Sequence, residues 1–210
     1  MRVAILANGE PPRHAAPRAA LAAADALVAC DGALAAARAL GREPDYVVGD
    51  GDSLAAADRT ALGARLVLDA EQDTNDLCKA FRFIKSLPRT GGGKLSVRIV
   101  GATGLREDHA LANIFHLVDF TEEIPDTSIL TNSGTFTAVR GEMAFPCRAG
   151  DAISVFAPSP FAHVSSHGLE WPLDGIDLTQ LWRGTLNRTT GDSFTLNANR
   201  PILLYRPYAN

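Results

Sequence analysis

Apolar and polar residues along the first two thirds of the chain predict strands that alternate with helices. Short apolar runs predict buried strands, and longer segments with apolar residues three or four positions apart predict amphipathic helices. The predicted strands are residues 2–8, 27–31, 45–49, 65–69, 96–101 and 128–131. The predicted helices are residues 17–26, 33–40, 54–62, 75–87 and 108–120. This alternation predicts βαβ units and a mostly parallel sheet.

The pattern changes after about residue 133, where short apolar runs are separated by Gly, Pro, Asn and Asp. The runs are residues 136–140, 152–156, 162–165, 193–196 and 202–205, with one helical turn near 177–182. They predict an antiparallel β domain in the form of a small sandwich. We therefore expect an α/β chain, with a Rossmann-like αβα domain over residues 1–134 and an antiparallel β-sandwich over residues 135–210. Residues 90–94, Thr-Gly-Gly-Gly-Lys, predict a flexible loop.

The composition is that of a globular chain. Its 210 residues are 46% hydrophobic and 21% charged, with a formal net charge of −4. This mild acidity disfavours broad nucleic-acid binding, which needs a basic surface, and no run approaches the roughly 20 apolar residues of a membrane helix. Three cysteines without a CxxC spacing provide neither a disulfide framework nor a zinc site. We expect a cytoplasmic enzyme or binding protein without a nucleic-acid or membrane partner.

A first candidate site follows the third predicted strand, in the sequence Gly-Asp-Gly-Asp-Ser at residues 49–53. Residues two apart in an extended segment point the same way, so Asp50 and Asp52 can direct both carboxylates at one ion. Ligands of open α/β sheets bind at the carboxyl ends of strands, where this segment lies. The alternative interpretation is a polar turn in which Gly and Asp serve only the turn.

A second acidic segment, Glu-Gln-Asp-Thr-Asn-Asp at residues 71–76, follows the fourth predicted strand. Asp73 and Asp76 share a face if the helix has begun there, although capping of the helix by Asp73 or Asn75 explains the same residues. Two acidic pairs at neighbouring strand ends repel each other unless a cation is bound. An acid-rich site of oxygen ligands suits Mg²⁺, which usually binds substrate phosphates as well.

A third segment, Gly-Ala-Thr-Gly-Leu-Arg-Glu-Asp-His at residues 101–109, spans a strand end, a loop and a helix start. Its glycines allow the backbone to approach a ligand closely, and free N–H groups at a helix start favour anions. Arg106 can bind phosphate, and Asp108 can position a hydroxyl group or a metal. The alternative is an ordinary turn in which Asp108 caps the helix.

The predicted β domain contains one distinctive segment, Gly-Leu-Glu-Trp-Pro-Leu at residues 168–173. Trp171 stands beside a proline and offers a flat face for stacking on an aromatic or cationic ring. The alternative is that Trp171 is a core aromatic residue of the small β domain.

Taken in order, these segments resemble the thiamine pyrophosphokinase family. The matching segments are ANG at residues 7–9, CDG at 30–32, PDYVVGDGDS at 44–53, EQDTND at 71–76, GATGLREDHALANI at 101–114, GLEWPL at 168–173 and TLN at 185–187. The resemblance covers nearly the whole chain, and its specificity comes from the order and spacing of the whole set.

The resemblance implies an α/β domain that binds ATP and Mg²⁺ and a β-sandwich that helps to bind thiamine. It also implies a homodimer with its sites at the subunit interface, and transfer of diphosphate from ATP to the thiamine hydroxyl with release of AMP. The implied Mg²⁺ ligands are Asp50, Asp52, Asp73 and Asp76. The implied ATP contacts are Asn8, Asp31, Gly32, Asp50, Asp52, Ser53, Thr103, Gly104 and Arg106. The implied thiamine contacts are Gln72, Asp108, Trp171 and Asn187, and the implied catalytic residues are Asp73, Arg106 and Asp108.

Three positions depart from the family pattern. The family usually has a larger residue in place of Gly51, a Thr in place of Asn75 and commonly a Ser in place of Leu186. The last removes a possible hydroxyl contact to thiamine. Two alternatives therefore stay open. The first is another Mg²⁺-dependent phospho- or diphosphotransferase with a different small alcohol as acceptor, and the second is a non-catalytic sensor of thiamine or a nucleotide.

Overall fold

The computed structural model describes residues 1–88 and 94–209, which form two compact units. The first unit comprises Met1–Ile114 and Glu123–Asn132, and the second comprises Phe115–Glu122 and the chain from Ser133 onwards. The predicted loop at 90–94 lies outside the described residues except for Lys94. Within those two ranges, no helix is long and apolar enough to cross a membrane.

The first unit is built on a parallel sheet whose strands occur close to the predicted positions. The strands are β1 (Arg2–Leu6), β2 (Ala26–Cys30), β3 (Tyr46–Gly49), β4 (Leu66–Leu68), β5 (Ser96–Val100) and β6 (Thr127–Leu130). Their order across the sheet is β6-β5-β1-β2-β3-β4, and every neighbouring pair is parallel. The predicted mostly parallel α/β sheet is confirmed.

Helices connect these strands. They are α1 (Ala15–Ala23), α2 (Leu34–Ala39), α3 (Ala56–Leu62), α4 (Asp76–Ile84) and α5 (Glu107–Glu123). Helix α1 packs on β1 and β5, whereas α4 packs on β1, β2 and β3. Helix α2 begins one residue later than predicted, after a 3₁₀ turn at Asp31–Ala33. Helix α4 begins one residue later than predicted because Asn75 caps it: its side chain accepts a hydrogen bond from the Cys78 N–H.

The strand order positions the site of the first unit. Strands β1 to β4 are added in one direction across the sheet, and β5 then pairs with the other side of β1. Such a reversal opens a crevice at the carboxyl ends of the strands, where ligands of open α/β sheets bind. The loops that follow β1 and β5 therefore flank the expected position of the ligand.

The second unit is antiparallel. Its strands are β7 (Gly134–Pro146), β8 (Ala152–Phe156), β9 (Val164–His167), β10 (Asn187–Arg188) and β11 (Ser193–Pro207). The first half of β11 pairs with β9 and the second half with β8, while β7 pairs along both halves. The predicted antiparallel strand region is confirmed, and its sandwich form stays a prediction.

Two predicted runs in this unit differ from the structure. Residues 193–196 and 202–205 belong to the single strand β11, whose register shifts between Ala198 and Ile202. Asn199, Arg200 and Pro201 lie within that shift and interrupt the apolar pattern without ending the strand. The helical turn predicted near 177–182 is a 3₁₀ turn at Leu181–Gly184.

Candidate active site

A cleft of about 500 Å³ opens at the carboxyl ends of the parallel strands of the first unit. The loops after β1 and β5 contribute Asn8, Thr103 and Arg106 to its lining. The loop after β3 contributes Asp50, and the segment around the start of α4 contributes further polar residues. These further residues are Gln72, Thr74, Asn75, Asp76 and Lys79. The cleft thus brings together residues from all three segments predicted to carry chemistry.

Asp31 joins the end of β2 to the loop after β3. It is buried, and its carboxylate accepts hydrogen bonds from the N–H groups of Gly32 at 2.5 Å and Gly51 at 2.9 Å. Gly51 has a φ of 84°, a left-handed conformation that favours glycine. Burial raises the pKa of Asp31, and the negative charge of Asp76 raises it further. Asp31 therefore accepts backbone hydrogen bonds from the loop that carries Asp50.

Asp50 is the carboxylate of the first acidic segment that lines the cleft. One of its oxygens accepts a hydrogen bond from the Asp52 N–H at 3.0 Å, and the other accepts one from Gln72 Nε2 at 3.4 Å. The Asp52 N–H lowers the pKa of Asp50, so this carboxylate stays ionised. Asp52 and Ser53 are exposed and are not part of the cleft lining.

The second acidic segment contributes Asp76 to the cleft, together with a buried cation. Lys79 is only 3% exposed, and its Nζ lies 3.3 Å from Asp76 Oδ1. Asn75 holds the start of α4: its Oδ1 accepts the Cys78 N–H, and its Nδ2 donates to Asn113 Oδ1 at 3.0 Å. Asp73, by contrast, is exposed and lies outside the lining.

The four predicted Mg²⁺ ligands do not converge as a set. Among residues 1–88 and 94–209, no group of three or more His, Cys, Asp or Glu side chains is arranged to hold a metal ion. Asp52 and Asp73 are exposed and lie outside the lining of the cleft. Asp50 and Asp76 remain as oxygen donors in the cleft, and Mg²⁺ is commonly held by one or two carboxylates together with water and substrate phosphates. The donor chemistry therefore fits Mg²⁺.

The loops after β1 and β5 approach each other closely beside the cleft. The Gly9 N–H donates to the Gly101 oxygen at 2.6 Å, and a Cβ atom on Gly9 would lie 2.3 Å from that oxygen. A Cβ on Gly32 would likewise lie 2.2 Å from Asn8 Nδ2. Glycine at these two positions therefore brings the strand ends together.

Arg106 lines the cleft, and Asp108 pairs with it. Arg106 Nε and one terminal nitrogen donate to the two Asp108 oxygens at 3.1 and 2.6 Å. Both side chains are largely exposed, and Asp108 and Gly104 are not part of the lining. The Arg106 guanidinium and then the His109 N–H hold the pKa of Asp108 at about 2.

Two predicted thiamine contacts lie in the second unit. Trp171 is 53% exposed, so the core-aromatic alternative for it is not supported. The buried Asn187 holds its backbone: Asn187 Oδ1 accepts the Trp171 N–H at 3.2 Å, and Asn187 Nδ2 donates to the Trp171 oxygen at 2.6 Å. Leu186 precedes Asn187 with a φ of 58° and is 77% exposed.

Sequence reasoning missed some polar residues of the cleft, chiefly Lys79, Thr74 and Asn113. Lys79 follows Asp76 by three residues, which on a helix places the two on one face. That spacing was the available signal, but a lysine in a helix is usually solvated. Asn113 is 7% exposed and donates to the Ala102 oxygen at 2.9 Å, so it supports the loop after β5 from within α5.

A parallel α/β sheet with a polar cleft at its switch point defines a ligand-binding protein of the doubly wound class. Comparison with family models identifies it further. Residues 18–129 match "Thiamin pyrophosphokinase, catalytic domain", and residues 134–205 match "Thiamin pyrophosphokinase, substrate-binding domain". The chain belongs to the thiamin pyrophosphokinase family. It is a thiamine diphosphokinase, an enzyme with ATP as co-substrate. Neither alternative from the sequence, a transferase with a different alcohol as acceptor or a non-catalytic sensor, is favoured.

Solved structures share the fold over essentially the whole chain. Yeast thiamin pyrophosphokinase is 15% identical with a TM-score of 0.78, covering 99% of this chain and 86% of that one. Thiamine pyrophosphokinase from Bacillus subtilis is 21% identical with a TM-score of 0.75, covering 100% of both chains. The enzyme from Candida albicans is 15% identical with a TM-score of 0.76, covering 99% and 90%. A comparison with curated protein sequences gives no match.

Proposed function

We propose that the cleft of the first unit binds ATP as its magnesium complex, with Asp50 and Asp76 as the first carboxylates to hold the cation. The observation that carries this proposal is the lining itself, where these two acids stand with Lys79 and Arg106 at the carboxyl edge of the sheet. Acids suit the cation, and the two basic residues suit the phosphates. Asp52 and Asp73, next to these ligands in the chain, would complete the four-carboxylate set.

The remaining ATP contacts follow from the same edge of the sheet. Arg106 would bind the phosphates, and Thr103 and Gly104 would offer the polar groups of the loop before α5. Asn8 lines the cleft from the loop after β1. Asp31, Gly32 and Ser53 complete the proposed set, with Asp31 acting mainly through the backbone of Gly51.

The proposed reaction is an in-line displacement at the β-phosphorus of ATP. The thiamine hydroxyl oxygen forms a bond to this phosphorus, the bond to the oxygen between the α- and β-phosphorus breaks, and AMP leaves. Bound Mg²⁺ would offset the charge on the transferring group. The proton of the hydroxyl would pass to Asp73 or to Asp108, the two acids implied above as catalytic. Asp108 also orients Arg106, with which it is paired, and would contact thiamine.

The second unit supports a proposal for the acceptor. Trp171 would stack on a thiamine ring, since an exposed indole with a fixed backbone is a stacking surface. Asn187 would hold that surface in position. Gln72 of the first unit would contact thiamine from the acidic loop, the segment of residues 69–75 that joins β4 to α4.

We also propose a cytoplasmic homodimer with its sites at the subunit interface. Exposed large apolar side chains in the second unit support the dimer, because such surface is usually covered. They are Met143, Phe161, Trp171, Trp182 and Leu186. Free Cys30, Cys78 and Cys147 are in keeping with a reducing compartment. Sedimentation of the purified protein at several concentrations measures the oligomeric state.

Labelled ATP tests the proposed reaction. With ATP carrying ³²P at the γ position, we expect the label in the terminal phosphate of thiamine diphosphate and AMP as the stoichiometric second product. Labelled thiamine monophosphate with ADP would instead mean attack at the γ-phosphorus. Chelation of divalent cations should abolish the reaction, and added Mg²⁺ should restore it.

A further inference from the structure

Arg82 lies on α4, outside the lining of the cleft, yet it binds the acidic loop at three points. Its terminal nitrogens donate to Thr74 Oγ1 at 2.9 Å, Asp69 Oδ2 at 3.1 Å and Glu71 Oε2 at 2.8 Å. All three partners belong to the segment that joins β4 to α4. One side chain of the helix thus holds the beginning, middle and end of this loop.

Two hydrogen bonds between Glu71 and Thr74 close a turn within the acidic loop. Glu71 Oε1 accepts the Thr74 N–H at 2.7 Å, and Glu71 Oε2 accepts the Thr74 hydroxyl at 2.6 Å. The Thr74 hydroxyl and the Arg82 guanidinium help to hold the pKa of Glu71 at about 2, so its carboxylate stays ionised. Gln72 and Asp73 lie between Glu71 and Thr74 in the sequence, so they form the tip of this hydrogen-bonded turn.

The tip itself is only weakly held by its own side chains. Gln72 Nε2 donates to Asp50 Oδ2 and to the Ala70 oxygen, both at 3.4 Å, which is longer than an ordinary N–H···O bond. The position of Gln72 relative to Asp50 therefore depends on the backbone of the loop, and that backbone is held by Glu71, Thr74 and Arg82.

We propose that Arg82 is a positioning residue for diphosphate transfer, and that it acts through Glu71 and Thr74 to hold Gln72 and Asp73 in place. This inference rests on the roles proposed above for Gln72 and Asp73. When reacting groups are moved by about 1 Å by a change elsewhere, rates can fall by about 100-fold. Loss of the three bonds frees the turn and carries that penalty without removing any group that touches substrate.

Arg38 provides a matched control, because it is a similar residue in a similar network. Its side chain is 37% exposed against 42% for Arg82, and it also bonds two acids, Glu43 and Asp58. None of these control residues lines the cleft. Exposed ion pairs in general add little to stability, so the two arginines should differ in catalysis far more than in folding.

The experiment compares Arg82→Gln, Arg82→Lys and Arg38→Gln. We expect Arg82→Gln to lower kcat by roughly 10- to 100-fold, with a raised half-saturation concentration of Mg²⁺ and a modest change in the KM for thiamine. Arg82→Lys should recover part of kcat, since a lysine can hold one of the acids at a time. Arg38→Gln should stay within about twofold of the wild-type rate, in line with the small worth of surface pairs.

Amide hydrogen exchange of residues 70–75 gives a readout that does not depend on activity. Exchange there should be faster in Arg82→Gln and unchanged in Arg38→Gln. Equal rates and equal exchange in the two variants would overturn the proposal, as would a loss of kcat with no change in exchange. If Arg82→Gln does not fold, Thr74→Val removes two bonds, from the Thr74 hydroxyl to Glu71 and from Arg82 to that hydroxyl. This variant should show the same two effects in smaller measure, and wild-type behaviour of it would overturn the proposal as well. If the wild-type protein makes no thiamine diphosphate, the proposed function fails while the exchange result still tests the positioning of the loop.

Discussion

Lys79 Nζ lies 3.3 Å from Asp76 Oδ1, and the two side chains differ sharply in exposure, at 3% for the lysine and 35% for the aspartate. The two single variants that each remove one partner should therefore lose different amounts of the free energy of unfolding. Asp76→Asn leaves a buried ammonium without its counter-ion, and we expect a loss of about 3 kcal/mol in the free energy of unfolding. Lys79→Met leaves a carboxylate that water still reaches, and we expect a loss of about 1 kcal/mol.

Urea unfolding of the two variants and of the double variant measures this asymmetry. The double variant should be more stable than Asp76→Asn alone, because no unpaired charge then stays buried. Strictly additive losses would mean that the two residues do not interact. Both single variants should lose turnover, since each removes a charge from the cleft.

The two acids of the first acidic segment should differ in metal dependence. Asp50 lines the cleft whereas Asp52 is exposed outside it. We expect Asp50→Asn to raise the half-saturation concentration of Mg²⁺ by at least about tenfold, the usual scale for losing one charged contact. Asp52→Asn should lose turnover too, but by less. Activity measured against Mg²⁺ at fixed ATP separates them, and a larger effect at Asp52 would mean that the loop rearranges when the metal binds.

Gly51 and Gly41 allow backbone strain to be separated from damage to the site. Both have a positive φ, of 84° and 76°. The Gly51 N–H donates to the buried Asp31, and a Cβ on Gly51 would lie 2.9 Å from Leu68 Cδ2, the end of an exposed side chain that can move aside. Nothing lies within 4 Å of a Cβ on Gly41. Each change to Ala should cost about 1 kcal/mol, or a few degrees in Tm. Only Gly51→Ala should also lower kcat. Equal activity in both variants would mean that the hydrogen bond between Gly51 and Asp31 does not matter for turnover.

Trp171→Ala tests the proposed stacking on thiamine. We expect the KM for thiamine to rise by about tenfold, the scale of one cation–π or stacking contact, while the KM for ATP stays unchanged. Trp182→Ala is the control for loss of exposed apolar surface in general, since Trp182 belongs to the same proposed dimer surface and is exposed at 69% against 53%. An equal rise in both variants would point to a general disturbance of the unit instead.

The strands and helices of the first unit could be predicted because each buried strand is a continuous apolar run between turn residues. Residues 26–30 are buried throughout in β2, and their sequence ALVAC contains no polar residue. The second unit was harder. Strand β10 has only two residues, Asn187 and Arg188, and no periodicity can appear over that length. Strand β11 appeared as two runs because Asn199, Arg200 and Pro201 stand between its apolar halves.

For the site, the sequence predicted which loops meet at the cleft but not which of their acidic side chains line it. Asp50 and Asp76 line the cleft, while Asp52 and Asp73 are exposed. Which acids line the cleft depends on how the loops pack, and spacing along the chain does not contain that information. Lys79 was missed for a related reason: only the packing of α4 on the sheet shows that its charge is buried.

Arg82 reaches the acidic loop because of its position on α4. Asp76, Lys79 and Arg82 are spaced by three along one helix, and each residue of an α-helix turns the chain by about 100°. An inserted or deleted residue between positions 76 and 82 would rotate Arg82 away from Glu71 while leaving Asp76 in place. Changes of chain length beyond Ile84 would leave that relationship intact. Tolerance to insertions should therefore change abruptly within this one helix, and a scan of single-alanine insertions through α4 would locate the boundary.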